Sequence, residues 1–257
     1  MNLQLIDTHC HLYVDAFAGD REEMIKRAEN EGVISMLLPA IDSEELNNLL
    51  SLEAAFPEQC RAMMGLHPCS VKEDFEKELA LVKEWLDKRP FIAVGEIGLD
   101  YYWDKNFVQE QQEAFRRQVQ WSIEKDLPIV IHSRSAVEDC IRILKEFTDK
   151  KPRGIFHCFS DHLGIAEQIM DLGFYMGIGG VVTYKKAGLA EVVKDIPLEW
   201  LVLETDAPYL PPVPFRGKRN ESSYIKYVAA TVADLKERSI EEVAAITTAN
   251  AKKIFGI

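Results

Sequence analysis

The chain has 257 residues, of which 47% are hydrophobic and 28% are charged, as in an ordinary globular protein. Its 30 basic and 42 acidic residues give a formal net charge of −12, which argues against a protein that coats nucleic acid passively, because such a protein needs a positive field. No apolar run approaches the roughly 20 residues of a membrane span, and the N-terminus does not resemble a signal peptide, so we expect a cytoplasmic protein with no membrane partner.

Short apolar runs rich in β-branched residues recur along the whole chain and predict strands. The runs begin near Leu3, Val33, Arg61, Phe91, Pro128, Gly154, Phe174 and Trp200. They are continuous rather than alternating, which is typical of parallel strands that are buried on both faces.

Stretches with helical periodicity lie between these runs. One covers 106–126, where glutamines and charges surround an apolar stripe. This stripe consists of Val108, Phe115, Val119 and Ile123. Capping boxes are predicted at the start of two other helices, at 20–23 and at 239–242. The segment 207–223, rich in proline and basic residues, is predicted to be a long loop after the last strand.

The alternation of strands and helices, about every 30 residues, indicates parallel βαβ units. About eight such units in a chain of this length fit a single-domain (β/α)8 TIM barrel over residues 1–257. The alternative is a doubly wound open sheet, which often has a glycine-rich loop after its first strand. Here Thr8-His9-Cys10-His11 follows the first strand instead, and no linker or repeat divides the chain.

Metal-binding residue types recur where the predicted strands end. Five of the six histidines, together with two carboxylates, lie at or just past such ends: His9, His11, His67, Glu96, His132, His157 and Asp206. The C-terminal ends of barrel strands meet at one face, so these side chains should gather there. Imidazoles with a carboxylate suit a borderline divalent cation such as Zn²⁺, Mn²⁺ or Fe²⁺. The surplus of ligands indicates two ions, and such a pair activates water for hydrolysis.

Each of these residues also has a plainer explanation. A lone histidine at a strand end is more often hydrogen-bonded than metal-bound, Glu96 could cap a helix, and Asp206 could cap a turn. The joint pattern on several strands favours a metal site. Three further carboxylates are expected to orient the ligands from behind: Asp7, Asp100 and Glu204.

Basic and aromatic residues surround the same predicted face. The candidate substrate contacts are Arg134, Arg216, Lys218 and Asn220. Taken singly, each is an ordinary surface residue, but together they predict an anion-binding rim. Aromatic side chains that could stack on bases are Tyr101, Tyr102, Trp103, Tyr209 and Phe215. Aromatic residues in loops more often pack against the protein, so both readings stay open.

Seven short motifs are spread over almost the whole chain. They are Ile-Asp-Thr-His-Cys-His-Leu at 6–12, Gly-Leu-His-Pro at 65–68, Val-Gly-Glu-Ile-Gly-Leu-Asp-Tyr-Tyr at 94–102, Ile-His-Ser-Arg at 131–134, Phe-His-Cys-Phe-Ser at 156–160, Leu-Glu-Thr-Asp-Ala-Pro-Tyr-Leu at 203–210 and Pro-Phe-Arg-Gly-Lys-Arg-Asn-Glu at 214–221. With these motifs the sequence resembles the TatD family of metal-dependent deoxyribonucleases, a branch of the amidohydrolase-like barrels.

The resemblance implies a divalent-metal phosphodiesterase that degrades DNA, often from the 3′ end, and for which a monomer suffices. Mg²⁺ commonly supports activity in the family, and Zn²⁺ or Mn²⁺ can occupy the site. The implied ligands are His9, His11 and Asp206 for one ion and His132 and His157 for the other, with Glu96 between the two. His67 would lie near the substrate phosphate or the metals, and Asp206 would also accept a proton from the attacking water.

Three positions depart from the family pattern: Tyr13, Ser135 and Asp161. None of them is an implied ligand, so they bear on substrate preference. Two other functions remain possible on the sequence: a related barrel hydrolase acting on a small phosphoester, amide or lactone, and a non-catalytic protein with a relict site. Glu96 in the bridging position and the basic rim favour a phosphodiester, and the complete ligand set argues against a relict.

Overall fold

The computed structural model describes residues 3–257, in which eight strands alternate with α-helices. The strands are β1 (Leu5–Asp7), β2 (Val33–Leu38), β3 (Cys60–Ala62), β4 (Val94–Gly98), β5 (Ile129–His132), β6 (Gly154–Phe156), β7 (Tyr175–Ile178) and β8 (Leu201–Leu203). The helices are α1 (Arg21–Asn30), α2 (Leu46–Ala55), α3 (Phe75–Lys88), α4 (Val108–Lys125), α5 (Val137–Leu144), α6 (Leu163–Asp171), α7 (Leu189–Asp195), α8 (Ile225–Lys236) and α9 (Ile240–Phe255). In this part of the chain, no helix is both long enough and apolar enough to cross a bilayer.

The strands close into a barrel. Neighbouring strands pair in parallel within β1 to β3 and within β4 to β8. A bridge between Met64 and Val94 joins β3 to β4. At the other seam the Thr8 amide donates to the Leu203 carbonyl at 3.1 Å, and Cys10 bridges to Ala207. The predicted (β/α)8 barrel is therefore confirmed.

The interior of the barrel is filled by one apolar side chain from each strand or its flank. This layer consists of Ile6, Leu37, Met63, Ala93, Val130, Ile155, Tyr175 and Val202. Ala251, Ile254 and Phe255 of α9 pack against the same layer and close the N-terminal end of the barrel. The second, larger core lies between the strands and the surrounding helices. Since α9 covers the N-terminal end of the barrel, the open end is the C-terminal face, where polar side chains at the strand ends can form a site.

The two predicted capping boxes have different outcomes. At the start of α9 the box is present, because the Ser239 side chain accepts from the Glu242 amide and the Glu242 side chain accepts in return. At the start of α1 the prediction of a capping box is wrong. Asp20 stands at the N-cap but makes no capping hydrogen bond; its carboxylate binds the guanidinium groups of Arg27 and Arg219 instead. These ion pairs attach α1 to the long loop after β8.

Helix α4 holds two loops at the C-terminal face of the barrel through glutamines. Phe115 and Val119 are buried, as the apolar stripe predicts. Gln111 and Gln118, which the sequence placed on the exposed side, are buried too. The Gln111 side-chain oxygen accepts from the Asp100 amide at 2.9 Å, and the Gln118 oxygen accepts from the Leu66 amide at 2.7 Å. These bonds fix the loops after β3 and β4.

Candidate metal centre

The predicted ligands converge at the C-terminal face of the barrel. His9 and His11 follow β1, Glu96 lies in β4, His132 ends β5, His157 follows β6 and Asp206 follows β8. Four of the six are buried, and the other two, His132 and Asp206, are partly exposed to the cavity. Residues separated by almost 200 positions thus share one site because parallel strands end at the same face.

The segment after β1 points two imidazoles the same way. The Cys10 amide donates to the Leu37 carbonyl at 3.1 Å, and the thiol turns into the core, where it is fully buried. His9 and His11, one residue to either side, therefore lie on the opposite face. Their Nε2 atoms are 3.2 Å apart.

One oxygen of Glu96 faces this pair of histidines. Glu96 Oε2 lies 3.1 Å from His9 Nε2 and 3.5 Å from His11 Nε2. Asp206 Oδ1 completes the group at 3.8 Å and 3.6 Å from the same two nitrogens. Asp206 is placed by its amide, which donates to the His9 carbonyl at 2.9 Å, and by a left-handed backbone with φ of 55°.

The other oxygen of Glu96 faces a second group. Glu96 Oε1 lies 2.8 Å from His132 Nδ1 and 2.9 Å from His157 Nε2, and these two nitrogens are 3.4 Å apart. The two oxygens of one buried carboxylate therefore address two separate sets of nitrogen atoms. A cation held by either set would therefore have one oxygen of Glu96 among its ligands.

Hydrogen bonds behind the ligands select the nitrogen that each histidine presents. The Tyr13 hydroxyl donates to the Pro39 carbonyl at 2.6 Å, so it accepts from His11 Nδ1 at 3.1 Å and leaves Nε2 unprotonated. Asp100 Oδ2 accepts from His132 Nε2 at 2.8 Å, so His132 presents Nδ1. The sequence analysis missed the role of Tyr13, which follows His11 by two residues in a turn.

His67 is held in the opposite sense. The Cys69 amide donates to His67 Nδ1 at 3.0 Å, so a neutral His67 carries its proton on Nε2. That Nε2 atom points at Glu96 Oε1 from 3.3 Å. Although His67, Glu96 and His132 lie close enough together to hold an ion, a protonated nitrogen is a hydrogen-bond donor and not a ligand. His67 therefore faces the centre as a donor.

Two of the three predicted supporting carboxylates contact a ligand side chain, and the third, Asp7, binds residues beside the ligands. Asp100 binds His132, and Glu204 Oε1 accepts from the Cys158 amide at 2.6 Å and lies 3.5 Å from His157 Nδ1. Asp7 is fully buried and accepts from the side chains of Thr205 and Ser222, both at 2.6 Å. It thereby ties β1 to β8 beneath the centre.

Burial and neighbouring charges set the protonation of the centre. Burial raises the pKa of Asp206 to about 8 and lowers the pKa of His9 to about 4. Burial alone would raise the pKa of Glu96, but the imidazoles of His157 and His67 outweigh it and hold this pKa well below its ordinary range. A cation bound beside Asp206 would favour the ionised form of this carboxyl group and so oppose the rise in its pKa.

The predicted substrate contacts differ in where they lie. Arg134 is exposed and lines both cavities next to the centre. Arg216 and Lys218 are exposed but line neither cavity, and the Arg216 guanidinium lies 4.2 Å from the centroid of the Tyr184 ring. The prediction for Asn220 is wrong: its side chain is fully buried and donates to the Thr205 and Tyr209 carbonyls, both at 2.7 Å. It shapes the loop rather than touching a ligand.

Comparison with known proteins places this architecture in a family. The family model described as TatD related DNase matches residues 6–256. The chain belongs to the TatD family. Since the relatives within the TatD family are described as metal-dependent hydrolases and the ligands converge as above, the chain is a metal-dependent hydrolase.

Two bacterial relatives match the chain over nearly its whole length. The uncharacterized metal-dependent hydrolase YabD of Bacillus subtilis is 43% identical over 254 residues, which cover 98% of this chain and 99% of the relative. The crystal structure of YjjV, a TatD homolog from Escherichia coli, has a TM-score of 0.93 at 32% identity and covers 100% of both chains. A TatD family hydrolase from Entamoeba histolytica, 23% identical over 99% of both chains, shares the fold with a TM-score of 0.86.

Proposed function

We propose that this TatD-family chain is a deoxyribonuclease that hydrolyses phosphodiester bonds from the 3′ end of DNA with two divalent ions. The observation that carries the proposal is the position of Glu96, whose two oxygens face two separate groups of ligand atoms. Two ions on either side of one carboxylate stabilise both the attacking and the leaving oxygen of an in-line displacement.

The spacing of the ligand atoms fits two ions. Donors about 2.1 Å from one ion lie about 3.0 Å apart along the edges of an octahedron and about 3.4 Å apart in a tetrahedron. In the group around Glu96 Oε2 the separations are 3.1, 3.2, 3.5, 3.6 and 3.8 Å. In the group around Oε1 they are 2.8, 2.9 and 3.4 Å. The residues therefore fit an ion in each group.

The identity of the ions follows from the donor set. Four imidazoles and two carboxylates favour Zn²⁺ or Mn²⁺ for tight binding, while Mg²⁺ prefers oxygen. We expect Mg²⁺ to support turnover because it is bound together with the phosphate oxygens of the substrate. Bound ions would lower the pKa of a water molecule and offset the charge that develops on the phosphate.

The side chains around the centre have separate roles in this proposal. Asp206 lines both cavities, so its carboxylate can accept the proton of the attacking water. His67 donates from Nε2 to a phosphoryl oxygen, and Arg134 pairs with the same phosphate from the cavity side. Glu96 keeps its charge and holds the two halves of the centre together.

DNA would meet the chain only at this mouth. A net charge of −12 gives no extended positive surface, so the attraction for phosphate has to come from bound cations and Arg134. All six ligands come from one chain, so a monomer suffices, and we expect the enzyme to act in the cytoplasm.

Incubation of the purified chain with 3′-labelled single- and double-stranded DNA, with Mg²⁺ or with EDTA, tests the proposal. We expect release of mononucleotides that requires the metal and that Asp206→Asn reduces by a factor of about 100 or more. Asp234→Asn, at an exposed carboxylate of α8 that lines neither cavity next to the centre, is the control and should retain activity. DNA that stays intact with Mg²⁺, or equal release by wild type and Asp206→Asn, would overturn the nuclease.

A further inference from the structure

The mouth of the barrel is divided into two lobes that meet at the metal centre. One cavity of about 500 Å³ has aromatic and aliphatic walls, and we call it the aromatic lobe. Its apolar lining residues are Ile41, Trp103, Tyr209 and Leu210. The other cavity, of about 410 Å³, has three serines in its lining, Ser133, Ser135 and Ser160, together with the apolar side chains of Val137, Phe159 and Val181. Both include His132, His157, Asp206 and Arg134, so a substrate phosphate at the centre has a different environment on each side.

Large apolar side chains are exposed mainly here. Six such residues are exposed in the part of the chain that the structure describes, and Trp103 and Tyr209 are the most exposed within the aromatic lobe, at 69% and 54%. Tyr102 and Leu210 adjoin them. A soluble surface rarely groups several large apolar side chains beside a polar centre without a ligand that covers them.

Trp103 is fixed to the metal centre through Asp100. One oxygen of this buried carboxylate accepts from the Tyr102 and Trp103 amides at 2.9 and 3.0 Å. The other oxygen accepts from His132 Nε2 at 2.8 Å. A single side chain therefore sets both the orientation of a metal ligand and the backbone that carries the indole. The backbone of Trp103 is therefore held at a fixed position relative to the centre.

Arg134 stands between the two lobes and is available to an anion. Its guanidinium lies 3.9 Å from the centroid of the Tyr102 ring and 5.2 Å from that of Trp103. Within residues 3–257 it has no carboxylate at ion-pair distance, unlike Arg27 or Arg219. Stacking on the rings holds the cation in place without neutralising it.

We infer that the aromatic lobe is a base subsite, in which an unpaired nucleobase stacks on Trp103 opposite Tyr209 while its phosphate contacts Arg134 and the metal centre. This inference rests on the proposed function and deepens it. The volume of the lobe suits a ligand the size of a nucleotide. Stacking on an indole accepts any base, because every base has a π-face, but it requires that the base has left its duplex. The subsite therefore selects single-stranded or frayed ends without reading sequence.

Equilibrium binding measurements distinguish the contribution of the base to affinity from that of the phosphate. Isothermal titration calorimetry with the Mg²⁺-loaded full chain compares dAMP with 2-deoxyribose 5-phosphate, which has the same phosphate and no base. We expect dAMP to bind about 5- to 150-fold more tightly, and to quench the fluorescence of Trp103, which is the only exposed tryptophan of the four. Trp103→Ala should remove most of this preference and leave the affinity for the sugar phosphate unchanged, while Trp103→Phe should retain part of it.

Val213→Ala, at an exposed apolar residue that lines neither lobe, is the matched control and should bind as wild type does. Equal affinity of the wild type for the two ligands, no measurable binding of dAMP, or a preference that survives in Trp103→Ala would each overturn the base subsite. The DNA hydrolysis assay is read independently. Base-dependent binding without DNA hydrolysis would refute the proposed nuclease function but support the base subsite. DNA hydrolysis without base-dependent binding would refute only the base subsite.

Discussion

Asp100→Asn should invert the nitrogen that His132 presents to the centre. The asparagine oxygen can still accept from the Tyr102 and Trp103 amides, as Asp100 Oδ1 does at 2.9 and 3.0 Å. Its amide group then takes the place of Oδ2, which is now 2.8 Å from His132 Nε2. An amide group donates, so His132 Nε2 has to accept, and its proton moves to Nδ1. That nitrogen lies 2.8 Å from Glu96 Oε1, where the ligand lone pair is required.

Asp100→Asn should weaken the binding of only one of the two ions, the one next to His132. Loss of a supporting partner behind a ligand lowers metal affinity by about 10- to 100-fold, which is about 1.4–2.7 kcal/mol of binding free energy. We expect the upper end of this range, because the substitution both removes the acceptor and protonates the ligating atom. The ion beside His9 and His11 should be retained, since their hydrogen bonds do not involve Asp100.

Calorimetric titration of the metal-free chain with Mn²⁺ measures this effect. The wild type should bind two ions, and Asp100→Asn should bind one with the original affinity and one weakly. Asp139→Asn is the control, because this carboxylate accepts from the Tyr101 hydroxyl at 2.9 Å and lies outside the centre. Two ions bound by Asp100→Asn with wild-type affinity would refute the assignment of His132 Nδ1 as a ligand.

Three further predictions concern other contacts behind the centre. Tyr13→Phe removes the oxygen that accepts from His11 Nδ1 and should lower the affinity for one Mn²⁺ by about 10-fold in the same titration. Gly177→Ala should reduce the free energy of unfolding in urea by about 1–3 kcal/mol, because the new Cβ would lie 2.1 Å from Glu204 Oε2. In the metal-free chain, Asp7→Asn should gain up to about 3 kcal/mol of stability over the wild type as the pH rises from about 4 to 7. Burial raises the pKa of Asp7 to about 6, so this carboxyl stabilises the fold while protonated and loses that contribution as the pH rises through the folded pKa.

Each of these predictions has a result that would contradict it. Unchanged Mn²⁺ affinity in Tyr13→Phe would mean that the hydroxyl does not set the proton on His11. Gly19→Ala has open space around the new Cβ and should keep the wild-type stability, so an equal loss in both glycine variants would remove the steric explanation. A difference between wild type and Asp7→Asn that stays constant from pH 4 to 7 would show that Asp7 does not titrate as described.

The barrel could be predicted because its strands are buried on both faces. Runs such as 129–131 are apolar without alternation, and only a parallel sheet covered on both sides buries them completely. The gathering of ligands at one face follows from the same topology, since strand ends meet regardless of their distance in sequence. His9 and Asp206 are therefore brought together by the fold rather than by a local motif.

The contacts that support the site could not be read from residue type alone. Gln111 and Gln118 look like surface residues of an amphipathic helix, and only the loops packed above α4 make their burial favourable. Asn220 sits in a basic loop, where an amide facing solvent and one facing backbone carbonyls have the same sequence signature. Asp20 follows the pattern of a helix cap, but two guanidinium groups compete successfully for its carboxylate.

The dependence of DNA hydrolysis on the number of bound ions tests the two-ion nuclease most directly. Metal-free chain is titrated with Mn²⁺ from zero to three equivalents, and the release of nucleotides from 3′-labelled single-stranded DNA is measured at each step. The geometry around Glu96 predicts negligible release at one equivalent and a plateau at two. Release that reaches its plateau at one equivalent, or that stays absent at two, would contradict the two-ion nuclease.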